Sequence, residues 1–269
     1  MELIKAILLG IIQGFSEFLP ISSSGHLVIF AELLQFKKTG VAFEVFVHFG
    51  TLMSVIFAFH RDLKLMLIAP FKVYLSGSKD ENLLEALRWD YFVIVGTIPA
   101  VLVGFTLKDP IEALFSQVLL VFFMLLVTGL LMWTSKFLKE RSRHFSILNS
   151  LLIGIAQALA ILPGISRSGS TIFTGMALGI PREKVARFSF ILSIPVIFGA
   201  TVLKVNDLIN LPPTNAEIQN LIAGTFFSFI SGYLAIIWLL DVVKKGKLEW
   251  FGYYCFFISI SGMIWYFLK

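Results

Sequence analysis

Long apolar runs dominate the chain, and six of them are long enough to cross a membrane as helices. A helix needs about 20 mostly apolar residues to span the hydrocarbon core of a bilayer. The six predicted spans are Val41–Phe59, Tyr91–Leu107, Val118–Phe137, Val185–Leu203, Ile218–Leu240 and Trp250–Leu268. The pattern therefore predicts an all-α polytopic membrane protein that forms a single membrane domain over residues 1–269.

Two further apolar regions are each interrupted by a short stretch rich in Pro, Ser and Gly. Given as first arm, break and second arm, they are Leu3–Leu19, 20–25 and His26–Leu34, and then Asn149–Leu162, 163–169 and Ser170–Leu178. A second arm of about ten residues rises only about 15 Å as a helix, which is too short to cross alone. Each region is therefore either a re-entrant helical hairpin or one broken spanning helix.

The two interrupted regions resemble each other at a constant offset of 144 residues. The matching stretches are Gly10-Ile11-x-Gln13 with Gly154-Ile155-x-Gln157, and Ser22-x-Ser24-Gly25 with Ser166-x-Ser168-Gly169. This pattern predicts an internal duplication with repeats at about 1–140 and 145–269. Folds built from inverted repeats place their polar site near the bilayer midplane, where the interrupted helices meet.

Composition and charge agree with a membrane location and favour re-entrant hairpins. Charged residues make up 14% of the chain and apolar ones 57%, whereas soluble domains carry about 25% charged residues. With two hairpins, 15 Lys and Arg residues collect on one side and 6 on the other, with Arg167 left inside; with two crossing helices the split is 12 to 9. Because basic loops stay in the cytoplasm, the first arrangement is favoured. It places both termini outside the cytoplasm and inverts the two repeats. We expect no nucleic-acid partner.

Polar residues cluster in and beside the two breaks, at what would be membrane depth. They are Gln13, Glu17, Ser22, Ser23, Ser24, His26, Gln157, Ser166, Arg167, Ser168 and Thr171. Ionisable groups at this depth are costly, so a functional role is the default hypothesis. The serines are N-cap signals for the second arms, and two converging helix N-termini would bind a phosphate group. Arg167 adds a guanidinium group that suits phosphate oxygens.

A purely structural interpretation of the same residues is also open. In it the serines only cap the helices, Glu17 is the structural partner of Arg167, and His26 is a buried interior histidine. His48 follows Glu44 by four residues, and we expect it to support the site or to make a helix contact.

Two stretches resemble the signature motifs of a known family. Residues 13–26, QGFSEFLPISSSGH, and 162–171, LPGISRSGST, are similar to the motifs of bacterial undecaprenyl-diphosphate phosphatases, integral membrane phosphatases of the bacitracin-resistance type. The resemblance extends over essentially the whole chain. Gln13 stands where many family members have Glu, which puts a metal site with two carboxylates in doubt.

The resemblance implies hydrolysis of undecaprenyl diphosphate to the monophosphate in the bacterial inner membrane. This reaction recycles the carrier lipid for peptidoglycan synthesis and confers bacitracin resistance. The expected partners are that lipid and the surrounding membrane, and a homodimer stays open. The expected cofactor is a divalent cation, Mg²⁺ or Ca²⁺, with Glu17 and Gln13 as metal ligands. The alternative function is a polyprenyl-phosphate transporter or flippase, which needs phosphate binding but no nucleophile.

Four residues are expected to be catalytic: Glu17, Ser23, His26 and Arg167. Ser23 and His26 are three residues apart and can share a helix face, so we expect a Ser23 nucleophile with His26 as its base or acid. A His26 nucleophile and a directly activated water stay open. The expected substrate-binding residues are Gln13, Ser22, Ser24, Gly25, Gln157, Ser166, Ser168, Gly169 and Thr171. In the favoured topology the site opens to the non-cytoplasmic side.

Overall fold

The computed structural model describes residues 2–34, 36, 40–115, 117–141, 144–210 and 214–268, and their regular structure is helical. The helices are α1 Glu2–Phe18, α2 Ser23–Leu33, α3 Gly40–Ala58, α4 His60–Ser76, α5 Glu81–Thr106, α6 Lys108–Leu114, α7 Val118–Thr134, α8 Ile147–Leu159, α9 Arg167–Ala177, α10 Arg182–Asn210, α11 Asn215–Lys244 and α12 Glu249–Leu268. A single 3₁₀ turn, Ser135–Phe137, extends α7. The all-α class is confirmed.

Five helices are long and apolar enough to cross a membrane: α5, α7, α10, α11 and α12. They coincide with five of the six predicted spans. The sixth, Val41–Phe59, is α3, which is followed after one residue by α4 at a bend of 77°. The described residues therefore form five spans, or six if α3 and α4 make one bent span. A polytopic membrane protein is confirmed.

The basic segment 60–90, which connects the first two predicted spans, is mostly helical. It contains α4 and the first turns of α5, which begins after its N-cap Asp80; the Asp80 carboxylate accepts a hydrogen bond from the backbone N–H of Asn82 at 2.8 Å. In α4, Met66 is buried against the protein while Leu67 and Phe71 are 73% and 66% exposed. Basic residues stand between the apolar ones along α4.

The outer faces of the spans are apolar. On α5, Ile94, Leu102 and Phe105 are each more than half exposed. A soluble protein with such contiguous apolar surface would aggregate, so lipid is the solvent of this face. Of the residues in the charge count, Lys37, Lys38, Arg143 and Lys269 lie outside the described residues. Which side each terminus faces stays a prediction.

The two interrupted regions are the helix pairs α1–α2 and α8–α9, and both second arms have 11 residues. Each first arm packs on a span of the other half of the chain, α1 on α11 and α8 on α5. The glycines that match at the 144-residue offset make these contacts possible. A Cβ on Gly10 would overlap the carbonyl oxygen of Gly224, and one on Gly154 would overlap that of Gly96. The duplication stays a prediction, and this exchanged packing is what it would produce.

Candidate functional site

The two breaks touch each other in the interior of the protein. The Ser168 hydroxyl donates to the carbonyl oxygen of Leu19 at 3.2 Å. Arg167 Nη2 donates to Glu17 Oε1 at 2.7 Å, which joins the end of α1 to the start of α9. The Glu17–Arg167 pair of the structural interpretation is therefore formed, and it lies at the meeting point of the two interrupted regions.

Serine caps begin both second arms, as the sequence predicts. The Ser22 hydroxyl accepts from the backbone N–H of Gly25 at 3.4 Å, and the Ser166 hydroxyl accepts from that of Gly169 at 3.1 Å. The remaining N–H groups of the first turns, with the positive ends of two helix dipoles, thus come together at the breaks. Such helix ends bind phosphate groups.

Glu17 is the centre of the polar network. Its Oε2 accepts from Gln13 Nε2 at 2.9 Å and from the Ser23 hydroxyl at 2.6 Å, while Oε1 accepts from Arg167. His48 Nε2 lies 3.7 Å from the same Oε2. Three donors on one buried carboxylate stabilise its ionised form and fix the direction of the Ser23 hydroxyl.

A cavity of about 250 Å³ opens beside this network. Its polar wall includes Glu17, Ser23, Ser24, Gln157, Ser166 and Arg167. Gln157 is 1% exposed, and neither amide atom has a hydrogen-bond partner within the described part of the chain. Because buried amides are almost always paired, this side chain is free to bind a polar group in the cavity.

Ser23 and His26, expected to act together from one helix face, make no hydrogen bond to each other in the described structure. Ser23 points to Glu17, whereas His26 Nδ1 lies 2.9 Å from the carbonyl oxygen of Ser22 and Nε2 lies 2.8 Å from the Tyr254 hydroxyl. His26 is 2% exposed and does not line the cavity with Ser23. The shared helix face failed as a guide because the imidazole folds back onto its own helix.

Other predicted binding residues lie behind the cavity wall. The Thr171 hydroxyl contacts the Ser189 hydroxyl at 2.6 Å inside the core, and Ser168 joins the two breaks. Gly25 and Gly169 are buried first-turn positions, where an added Cβ would meet Val121 and Pro20 side chains. The geometry thus brings Ser24, Gln157 and Ser166 to the cavity and leaves the others as its support.

His48 is a cavity residue to which the sequence assigned only a supporting role. It lines the cavity wall, and its Nδ1 donates to the Glu44 carbonyl oxygen at 2.7 Å, which leaves Nε2 facing Glu17. The available signal was a histidine four residues after a glutamate in an otherwise apolar span. That signal is weak, because the imidazole contacts the backbone of Glu44 rather than its carboxylate.

The side-chain oxygens of Gln13 and Glu17 fit a hard cation that would also bind a phosphate group. Gln13 Oε1 is buried with no hydrogen-bond partner in the described structure, and Glu17 supplies carboxylate oxygens next to it. The described residues contain no group of three His, Cys, Asp or Glu side chains that could hold a metal alone. Magnesium sites commonly combine one or two carboxylates with substrate phosphates and water.

Comparisons with known proteins agree with the motifs. The family model of the bacitracin resistance protein BacA matches residues 6–261. Similar curated proteins include undecaprenyl-diphosphatases of Halothermothrix orenii, 44% identical over 271 residues, of Christiangramia forsetii, 38% over 270 residues, and of Methanosphaera stadtmanae, 40% over 275 residues. Each alignment covers 98% of both chains.

Proposed function

The chain belongs to the bacitracin resistance protein BacA family, and we infer from this that it hydrolyses undecaprenyl diphosphate to undecaprenyl phosphate and inorganic phosphate. The observation that carries the inference is the convergence of Glu17, Ser23 and Arg167 on one cavity. This reaction returns the carrier lipid to peptidoglycan synthesis and accounts for resistance to bacitracin.

Arg167 and the first turns of α2 and α9 are suited to hold the terminal phosphate. The guanidinium uses one N–H on Glu17 and one on the Ser189 carbonyl oxygen at 3.5 Å. Its five N–H donors leave three for phosphate oxygens. Fixed donors around the transferred group stabilise the charge of the transition state, which is the main task in phosphoryl transfer.

Ser23 is the best-placed nucleophile. Its oxygen attacks the terminal phosphorus, the bond from that phosphorus to the bridging oxygen breaks, and undecaprenyl phosphate leaves with that oxygen. The hydroxyl proton moves along the 2.6 Å hydrogen bond to Glu17. Water then attacks the phosphorus of the phosphoserine, and the bond from phosphorus to the Ser23 oxygen breaks. That oxygen takes its proton back from Glu17, and inorganic phosphate leaves with the oxygen and the protons of the water.

Glu17 and Gln13 are the residues that would hold a divalent cation, Mg²⁺ or Ca²⁺. When bound, such a cation would neutralise part of the negative charge on the phosphate groups. Gln13 also donates to Glu17, so it keeps the carboxylate facing Ser23 and Arg167.

Phosphate release by the purified protein in detergent micelles tests the proposal. Micelles have no second compartment, so a transporter or flippase gives no signal. We expect inorganic phosphate from undecaprenyl diphosphate with wild-type protein and none with Ser23→Ala. Absence of phosphate from folded wild-type protein, with Mg²⁺ or Ca²⁺ supplied, would contradict the enzymatic function and favour the flippase.

The cavity is proposed to open to the non-cytoplasmic side of the cell membrane. Its wall includes Glu44 near the start of α3 and Thr201 in the second half of α10. The basic segment 241–249 contains the last turn of α11 and leads into α12. The positive-inside tendency supports a cytoplasmic position for that segment.

Single cysteines at Thr201 and at Lys247, in a Cys255→Ser background, test this orientation. A membrane-impermeant thiol reagent applied to intact cells should label the cysteine at 201 and leave that at 247 unlabelled until the inner face is exposed. The opposite pattern would reverse the proposed orientation.

A further inference from the structure

The hydrogen bonds of His26 occupy both ring nitrogens. The Ser22 carbonyl oxygen can only accept, so Nδ1 carries a proton and donates to it at 2.9 Å. In the neutral ring Nε2 is then an acceptor, and the Tyr254 hydroxyl donates to it at 2.8 Å. The imidazole also stacks with the rings of Tyr254 and Phe30, at centroid distances of 5.5 and 6.3 Å. A ring held in this way has no nitrogen left for phosphorus or water.

The group that His26 holds is the turn that orients Ser23. Ser22 has φ +69°, and it is the only non-glycine residue with a positive φ in the described ranges. Its carbonyl oxygen accepts both the ring Nδ1–H and the backbone N–H of His26, the latter at 3.2 Å. The next side chain, Ser23, makes the 2.6 Å hydrogen bond to Glu17. Conformations of this kind persist only where surrounding contacts enforce them.

The helix α12 also supports the Ser22 turn. Tyr254 donates to the imidazole, and the adjacent Cys255 thiol lies 3.8 Å from the carbonyl oxygen of Pro20. Two successive residues of α12 therefore contact the first break at Pro20 and His26, the residue that follows the break. Tyr254 also borders a separate apolar cavity with Trp250 and Phe251, and its hydroxyl is the part that hydrogen-bonds to His26.

We propose that Tyr254 is a positioning residue and that His26 acts with it to hold the Ser22 turn, which aims the Ser23 hydroxyl at the substrate. The proposal rests on the inferred hydrolysis of undecaprenyl diphosphate. In this proposal His26 acts by holding the Ser22 turn in place. It takes no part in the transfer of protons or phosphoryl groups. Misplacing a reacting group by about 1 Å can cost about 100-fold in rate, so removal of these contacts should have a measurable effect on turnover.

Amide substitutions at His26 separate the two roles. An Asn side chain can donate to the carbonyl oxygen four residues back, as Nδ1 does, whereas Gln places its amide nearer to Nε2. We expect His26→Asn to keep kcat within about 10-fold of wild type and His26→Gln to lose about 100-fold or more. A nucleophile or proton carrier at position 26 predicts that both variants are equally inactive, and that result would overturn the proposal.

Tyr254→Phe tests the hydroxyl alone, with Tyr253→Phe as the matched control on the 48% exposed neighbour. We expect Tyr254→Phe to lower kcat about 10-fold with KM within about twofold, and the control to behave as wild type. In the His26→Asn background Tyr254→Phe should have no further effect, because the partner of the hydroxyl is gone. Unchanged kcat in Tyr254→Phe would refute its role.

A spectroscopic readout is independent of turnover. The chain has four histidines, so ¹⁵N-imidazole labelling gives few signals. His26 should show the neutral form protonated at Nδ1, and Tyr254→Phe should shift its Nε2 resonance; a resonance that does not shift would contradict the contact. If wild-type protein shows this signature but releases no phosphate, the proposed function fails while the positioning contact stands. If wild type is active and His26→Asn is as inactive as His26→Gln, only the positioning proposal fails.

Discussion

Both breaks are turns that lead into a serine-capped helix, but they present different side chains to the cavity. The first break is residues 20–25 and the second is residues 163–169. At the 144-residue offset Ser23 corresponds to Arg167, and both side chains contact the same carboxylate, Glu17. The first break thus presents a hydroxyl to the cavity and the second presents a cation. Two serine-capped turns give two helix N-termini. In the proposed mechanism the residue that differs between them supplies the attacking hydroxyl in the first turn and the neutralising cation in the second.

The backbones of the two breaks also differ. The second contains one additional residue, Gly164, which takes the positive φ of +96°, so its N-cap Ser166 has an ordinary extended conformation. In the first break Ser22 takes the positive φ itself, at a cost of roughly 1–2 kcal/mol for a residue with a Cβ. The first break is supported by α12, because Tyr254 hydrogen-bonds to His26 and His26 to the Ser22 carbonyl oxygen. The second is supported by α7, where the Thr128 hydroxyl donates to the Gly164 carbonyl oxygen at 2.9 Å. The strained turn is the one next to Ser23, the proposed nucleophile.

Ser23→Ala should have the largest effect, because it removes the group proposed to attack phosphorus. We expect kcat to fall at least about 10³-fold with normal folding, as for other nucleophile deletions. Ser135→Ala, which removes a hydroxyl bonded to its own helix, is the control and should keep full activity. Activity of Ser23→Ala near that of wild type would shift the attack to a directly activated water.

Arg167→Lys tests the corresponding position in the second break. Lys keeps the positive charge but loses the planar fork that can contact Glu17 and phosphate oxygens together. We expect kcat/KM to fall about 10²-fold, the range for loss of one donor to a transition-state oxyanion, while size-exclusion behaviour is retained. Normal turnover by a folded Arg167→Lys protein would show that the second break contributes charge alone.

Gly164→Ala should destabilise the second break. Its φ is unfavourable for alanine, and the added Cβ would overlap the carbonyl oxygen of Val121 and crowd Met124. We expect a loss of about 2–4 kcal/mol, from left-handed strain and overpacking together. The control is Gly104→Ala, whose Cβ would meet nothing within 4 Å. Thermal unfolding in detergent measures both, and equal stability of the two variants would contradict the close approach of α7 to this break.

The sequence predicts the breaks better than it predicts their side-chain directions. The serine caps, the interrupted regions and the convergence of Glu17 with Arg167 follow from local spacing and from the cost of charge in lipid. The partner of His26 could not be predicted, because Tyr254 lies 228 residues away and only the packing of α12 brings it close. Helix α4 was not predicted because Lys and Arg stand among its apolar residues. Its mean hydropathy is therefore below that of a membrane-spanning segment.

The smallest expected effect is the difference in thermal stability between glycine substitutions at the two N-caps, Ser22 and Ser166. Gly at an N-cap costs only a few tenths of a kcal/mol relative to Ser. At position 22 that loss should be outweighed by relief of the positive φ, about 1 kcal/mol or more, whereas Ser166 at φ −80° has no strain to release. We therefore expect Ser22→Gly to unfold at the wild-type temperature or slightly above it, and Ser166→Gly to unfold a little below it. The gap should be a few degrees for a chain of this size. Thermal unfolding in one detergent without substrate gives the comparison. If Ser22→Gly loses as much stability as Ser166→Gly, the contacts of His26 and Tyr254 do not hold a strained turn, and the two breaks differ only in the groups they present.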